Sequence, residues 1–192
     1  MITQLLIKRT CQIFVTFMLL ILFVGTLHAD DWLPDLNAML SSFLSCQSPI
    51  DDKSPCNVFL ARALERVYNI HDFDAVGQDP PYMTANQIAN YVELSGNWTC
   101  LGSATNQASL NSAEDYANRG KAVIAVAYGN PHGHVALILP GTVSRSSTWN
   151  LNVPNSASFF LNRPADSYIG KPLSFAYSQT NSLTVRLYGR NF

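Results

Sequence analysis

Cys56 stands in Ser54-Pro55-Cys56-Asn57-Val58-Phe59-Leu60, and His134 stands much further on in Gly133-His134-Val135-Ala136-Leu137. A thiol at the start of a helix and an imidazole at the start of an apolar strand are the two parts needed to make and use a thiolate nucleophile. If they meet in space, the chain is an enzyme. If they do not, Cys56 is a buried, inert thiol of the kind common in protein cores.

The elements that must position the pair can be read from the pattern around them. Ser54 offers an N-cap, and Pro55 suits the first helical position, where its missing N–H costs nothing. Val58, Phe59, Ala63, Leu64 and Val67 then give a buried stripe to a helix ending near Asn69, with Cys56 in its first turn. There the unpaired backbone N–H groups and the positive end of the dipole favour thiolate over thiol. Upstream, Leu33, Leu36, Met39, Leu40 and Phe43 recur at spacings of three and four, which predicts a short amphipathic helix over residues 32–43. Downstream, a loop holding Gly77 and Pro80-Pro81 leads to Thr84, which caps a helix through Ala85, Ile88, Ala89 and Val92. Ser112 with Asp115 resembles a capping box, opening a helix through Tyr116 and Ala117 that stops at Gly120.

From Lys121 the pattern changes. Residues 122–128 are a continuous apolar run of strand length, residues 129–133 form a turn, and residues 134–139 are a second such run before Pro140-Gly141. Further strands are expected over residues 98–101, 148–153, 174–177 and 183–187. Helices first and an antiparallel sheet afterwards is the α+β order.

The first residues say where the chemistry would happen. Lys8 and Arg9 precede a nearly uncharged apolar run over residues 11–25, and Leu27-His28-Ala29 ends in a small residue before Asp30-Asp31. This is the layout of a secretory signal peptide, with cleavage expected after Ala29; the alternative is an uncleaved membrane anchor. Cys11 lacks the small-residue box of a lipid-attachment cysteine. The expected organisation is a signal over residues 1–29 and one domain over residues 30–192. Loss of Lys8 and Arg9 leaves ten basic against thirteen acidic residues, a net charge near −3. No basic stripe points to nucleic acid. Loss of Cys11 leaves Cys46, Cys56 and Cys100, and an odd count in an oxidising compartment leaves one thiol unpaired. Cys56 has the setting of the free thiol, so Cys46 is expected to pair with Cys100.

The helix opened by Pro55-Cys56-Asn57-Val58-Phe59, the Thr84-Ala85-Asn86 helix, and the stretch from Ala117-Asn118-Arg119-Gly120-Lys121-Ala122-Val123-Ile124-Ala125 to Gly133-His134-Val135-Ala136-Leu137-Ile138 resemble the NlpC and CHAP type of papain-like cysteine peptidases and amidases. The likeness extends to amidase effectors of type VI secretion and spans about residues 46–155. It implies a papain-like α+β fold with N-terminal helices packed on a central antiparallel sheet, and hydrolysis of amide bonds in peptidoglycan stem peptides. Cys56 would be the nucleophile and His134 the base, with no cofactor and no metal. The expected protein is a secreted or periplasmic monomer, free of the membrane after signal cleavage, with a peptidoglycan peptide as substrate and an inhibitor or immunity protein as a second partner. Two other readings stand beside it: an acyltransferase of the same fold, and a catalytically inactive binding or structural module. The free thiol at a helix start weighs against the module, which has no need of it.

A third group normally orients the histidine. If residues 134–139 pair with residues 148–153 around Val143, Asn152 falls opposite His134 and its side-chain carbonyl accepts from the ring; Asn150 and Asn155 are rivals. An uncharged partner suffices for a Cys-His pair. His132, in the turn, reads as a solvated loop residue, and a metal site from His132, His134 and Cys56 lacks zinc-type spacing. His71 with Asp72 and Asp74 follows a helix end, where dipole and solvent account for it. Trp98 and Trp149 read as core aromatics, and Asn97-Trp98-Thr99 matches a glycosylation sequon that carries little weight here.

Overall fold

Strand runs that are apolar at every position, as residues 122–128 and 135–139 are, need cover on both faces of their sheet, and the computed structural model supplies it. It describes residues 32–45, 56–160 and 162–191. In chain order these form α1 (Trp32–Ser45), α2 (Cys56–Tyr68), α3 (Ala85–Leu94), β1 (Trp98–Ser103), α4 (Gln107–Asn118), β2 (Val123–Ala127), β3 (His134–Ile138), β4 (Ser144–Ser146), β5 (Leu151–Val153), β6 (Asn155–Ser158), β7 (Tyr168–Pro172), α5 (Gln179–Ser182) and β8 (Arg186–Arg190). A six-stranded sheet runs in the order β1-β8-β2-β3-β6-β7, antiparallel at every pairing, and β4 and β5 form a separate two-stranded ribbon. The architecture is mixed α+β.

Alternate residues of the central strands enter two cores. Ile124, Val126, Val135 and Leu137 pack with Leu36 of α1, Phe59, Leu60 and Leu64 of α2, and Ile88 and Val92 of α3. On the other face, Val123, Ala125, Ala136 and Ile138 pack with Leu110, Ala113 and Ala117 of α4 and with Leu173, Tyr177 and Val185. Thr84 caps α3 in a full capping box, its hydroxyl accepting from the Gln87 N–H while the Gln87 side chain accepts from the Thr84 N–H. Among the described residues no helix is long and apolar enough to cross a membrane.

Several local expectations are corrected. Helix α4 starts at Gln107, five residues before Ser112, because the Asn106 side chain accepts from the Ala108 N–H and caps it there. Residues 174–177 lie partly in a short 3-10 turn (Leu173–Phe175), and the strand expected over residues 183–187 begins only at Arg186. Strand β5 pairs with β4, not with β3; β3 lies between β2 and β6, meeting β6 through Leu137 opposite Ala157 and Ile138 opposite Ser156. Cys100 is an exposed free thiol on β1, so the expected bond to Cys46 is not made there; Cys46 itself, the Ser54 and Pro55 cap, and the signal segment lie outside the described residues. Asp72 does not face solvent with His71. It is largely buried, accepting from Trp98 Nε1 at 2.8 Å and from Arg190 Nε and Nη2 at 2.6 and 3.1 Å, which ties the loop after α2 to β1 and β8.

Helix α2 is locked to the sheet by Phe59, whose ring stacks on Phe159 just beyond β6 with centroids 3.7 Å apart; both are about 1% exposed. Phe59→Ala should therefore cost about 3–5 kcal/mol, read as a lower urea midpoint at unchanged slope. A loss under about 1 kcal/mol would show that this stack does not hold α2 in place.

Candidate active site

His134 is the first residue of β3, opposite Ala127, and the turn before it is held from outside. Asn86, in the first turn of α3, donates to the Gly129 carbonyl at 2.8 Å and accepts from the Gly129 N–H at 3.2 Å, and also donates to the Pro131 carbonyl at 3.4 Å. This clamp leaves no room for side chains beneath it. A Cβ on Gly133 would sit 2.5 Å from Asn86 Oδ1 and 2.6 Å from the Ala127 carbonyl oxygen, and one on Gly129 would sit 2.4 Å from the His132 carbonyl oxygen.

The imidazole of His134 lies in an aromatic slot. Phe160 stacks on it nearly parallel at 5.0 Å, and Tyr177 meets it edge-on at 5.2 Å while donating to the Ala125 carbonyl at 2.7 Å. Nε2 is 2.7 Å from the hydroxyl of Ser158, a fully buried residue of β6. Nδ1 takes no hydrogen-bond partner among the described residues. Burial, and secondarily the positive charge of Arg163, lower the pKa of His134 to about 4, so the ring is neutral near pH 7. Arg163 lies over the Phe160 ring at 5.0 Å and pairs with Asp166 at 3.2 Å.

The ring opens on a cleft of about 650 Å³ lined by Asn57, Thr84, Asn86, His132, His134 and Arg163 among others. Asn57 is the second residue of α2, directly after Cys56, and its side-chain amide donates to the Met83 carbonyl at 3.0 Å. Two asparagines thus tie the elements together: Asn57 joins the start of α2 to the start of α3, and Asn86 joins α3 to the turn that delivers His134. Asn57, the second residue of α2, and His134, the first residue of β3, therefore border one cavity.

The third residue is where sequence reasoning misplaced the geometry. Asn152 is exposed on β5 opposite Arg145, and its backbone N–H and carbonyl bond the Gln107 side chain at 2.9 and 2.8 Å. Asn150 has a left-handed backbone and accepts from Arg145, and Asn155 donates to the Pro140 carbonyl. None of the three meets His134, because β3 pairs with β6 instead of β5. Ser158 takes the place foreseen for an asparagine. The alternation Ser156-Ala157-Ser158 was the available signal, but small polar residues do not announce a buried strand. His132 is exposed, as expected of a turn residue, and lines the cleft rim. Trp98 is buried in the core, and Trp149 is buried with its indole N–H unpaired among the described residues. Glu65, His71 and Asp74 have ligand atoms within 4.8 Å of one another, but none of them lines the cleft. Comparison with known proteins adds nothing to this geometry, since no family model matches the sequence and no curated protein matches it.

The lowered His134 pKa has a consequence for stability. Between about pH 6.5 and 4 the unfolded chain binds a proton that the folded chain refuses, so stability falls as the pH drops through that window. The loss from this residue approaches ~3 kcal/mol. In urea titrations at pH 7 and 4.5, His134→Gln should lose markedly less stability between the two pH values than wild type; equal losses would place the ring in water.

Proposed function

We propose that this protein is a papain-like cysteine amidase or endopeptidase, similar to the NlpC and CHAP enzymes, acting outside the cytoplasm on amide bonds of peptidoglycan stem peptides. The observation that carries this reading is that Asn57, beside Cys56 in the first turn of α2, and His134 line the same cleft.

Each group has a role its environment suits. With Nε2–H donating to Ser158, Nδ1 is the basic nitrogen and takes the proton from the Cys56 thiol. The thiolate, favoured at a helix N-terminus, attacks the carbonyl carbon, and the backbone N–H groups of the first turn of α2 are donors for the oxyanion. A largely buried imidazolium is a strong acid, so it readily protonates the leaving amine as the C–N bond breaks. Water then attacks the thioester, giving its proton to Nδ1, and the sulfur leaves and recovers that proton. Ser158 is a positioning residue: it fixes the tautomer and orientation of the ring without touching substrate.

Mature protein incubated with purified peptidoglycan should release fragments identifiable by mass, and Cys56→Ala should release none. Ser158→Ala should lower kcat up to about 100-fold with KM little changed, less than loss of the base itself would cost. Equal products from wild type and Cys56→Ala would remove the nucleophile. Absence of products from both, together with an ordinary thiol reactivity at Cys56, would favour the binding module.

A further inference from the structure

Arg163 occupies a distinctive place around His134. A second hollow of about 290 Å³ lies against the main cleft, and His132, Gly133, His134, Phe160 and Arg163 line both. Among the described lining residues of the two hollows Arg163 is the only side chain with a permanent charge, and none is a carboxylate. The other lining groups that can hydrogen-bond are neutral, Asn57, Asn86 and Asn162 among them. The guanidinium is also held in place. It lies over Phe160 at 5.0 Å, and the same ring stacks on His134 at 5.0 Å and 7°, so imidazole, phenyl and guanidinium are coupled through one aromatic ring. Its ion pair with Asp166 is exposed on both sides, with side-chain exposures of 66% and 55%, and therefore exchanges readily for a better anion.

We propose that Arg163 is the substrate-recognition residue of this site, binding a free carboxylate carried by the substrate beside the scissile amide. The proposal rests on the reading of Cys56 as the nucleophile and adds to it the substrate class: acidic peptides with an unblocked carboxylate, in preference to amidated or neutral ones. A guanidinium suits this task because its planar fork can hold a carboxylate through two parallel hydrogen bonds. Asp166 keeps Arg163 oriented in the free protein and gives way when the substrate carboxylate arrives.

Two small alkylating reagents of nearly the same size test this directly: iodoacetate, which carries a carboxylate, and iodoacetamide, which does not. Both place a two-carbon unit on a thiolate with loss of iodide, and peptide mass mapping reads each cysteine separately. Cys100, exposed on β1, serves as reference thiol within the same molecule. In wild type the iodoacetate-to-iodoacetamide rate ratio at Cys56, relative to that at Cys100, should exceed that of Arg163→Gln by roughly tenfold. Arg163→Lys should retain part of the preference, and Asp166→Asn should increase it. The ratio at Cys100 should not change in any variant, and an unchanged urea midpoint shows that Arg163→Gln is folded. Rapid labelling of Cys56 with the same ratio in wild type and Arg163→Gln would overturn the carboxylate site while sparing the nucleophile. Labelling of Cys56 no faster than Cys100 by either reagent would overturn the nucleophile, and the substrate assignment with it.

Discussion

A neutral imidazole held by a single serine hydroxyl between two aromatic rings is the constraint on which the rest of the site depends. His134 cannot accept a proton from solvent cheaply, because burial and the nearby charge of Arg163 both oppose the cation. Its Nε2 is engaged by Ser158, and Phe160 and Tyr177 fix the plane of the ring. Ser158 meets it only because β3 and β6 pair in one register, Leu137 to Ala157 and Ile138 to Ser156. A slip of one residue would exchange the serine for an alanine or phenylalanine and turn the hydroxyl to the opposite face. Register therefore sets the geometry of the candidate site as much as the side chains do.

What holds that register is distributed on both faces of the sheet. Strand β6 is short, and its inner serines contribute little apolar area, so its position is set by neighbours. Ser156 shares hydrogen bonds with the Tyr168 hydroxyl and the Lys171 carbonyl of β7, while Phe159 continues the strand into the stack with Phe59 of α2. The same α2 begins at Cys56. Packing of its Phe59 against the end of β6 and bonding of its Asn57 to Met83 constrain the helix start from two directions. Polar anchors of this kind specify geometry more than they add stability, since each replaces a hydrogen bond to water.

The parts that were legible in the sequence are those where one physical rule dominates. The continuous apolar runs that became β2 and β3 announce strands buried on both faces, and Thr84 with Gln87 announces a helix start whose hydrogen bonds are local. Helix α4 starts upstream of the apparent capping box because Asn106 accepts from the Ala108 N–H, which leaves Ser112 inside the helix. Strand β6 was invisible for a different reason. Its residues Asn155, Ser156, Ala157 and Ser158 have low strand propensity and become a central strand only through partners distant in the chain. With β6 missed, residues 148–153 looked like the next strand, and Asn152 inherited a position that belongs to Ser158. The helix-start cysteine and strand-start histidine, by contrast, declare themselves through local capping and periodicity alone.

On the proposed reading, the placement of Arg163 links recognition to proton transfer. The guanidinium near His134 lowers the affinity of the ring for a proton, and in the proposed mechanism it would also stabilise a thiolate in the same cleft. The two effects oppose each other when a proton moves from sulfur to nitrogen, so the bare site gains little from the cation. In the free protein Arg163 already has a partner, Asp166, across a contact exposed on both sides, so on the proposed reading a substrate carboxylate exchanges a solvated partner for one in a desolvated cleft, where the pairing offsets more of the repulsion felt by an imidazolium than it does in water. Under the proposed arrangement the base would strengthen at the moment an acidic peptide is seated.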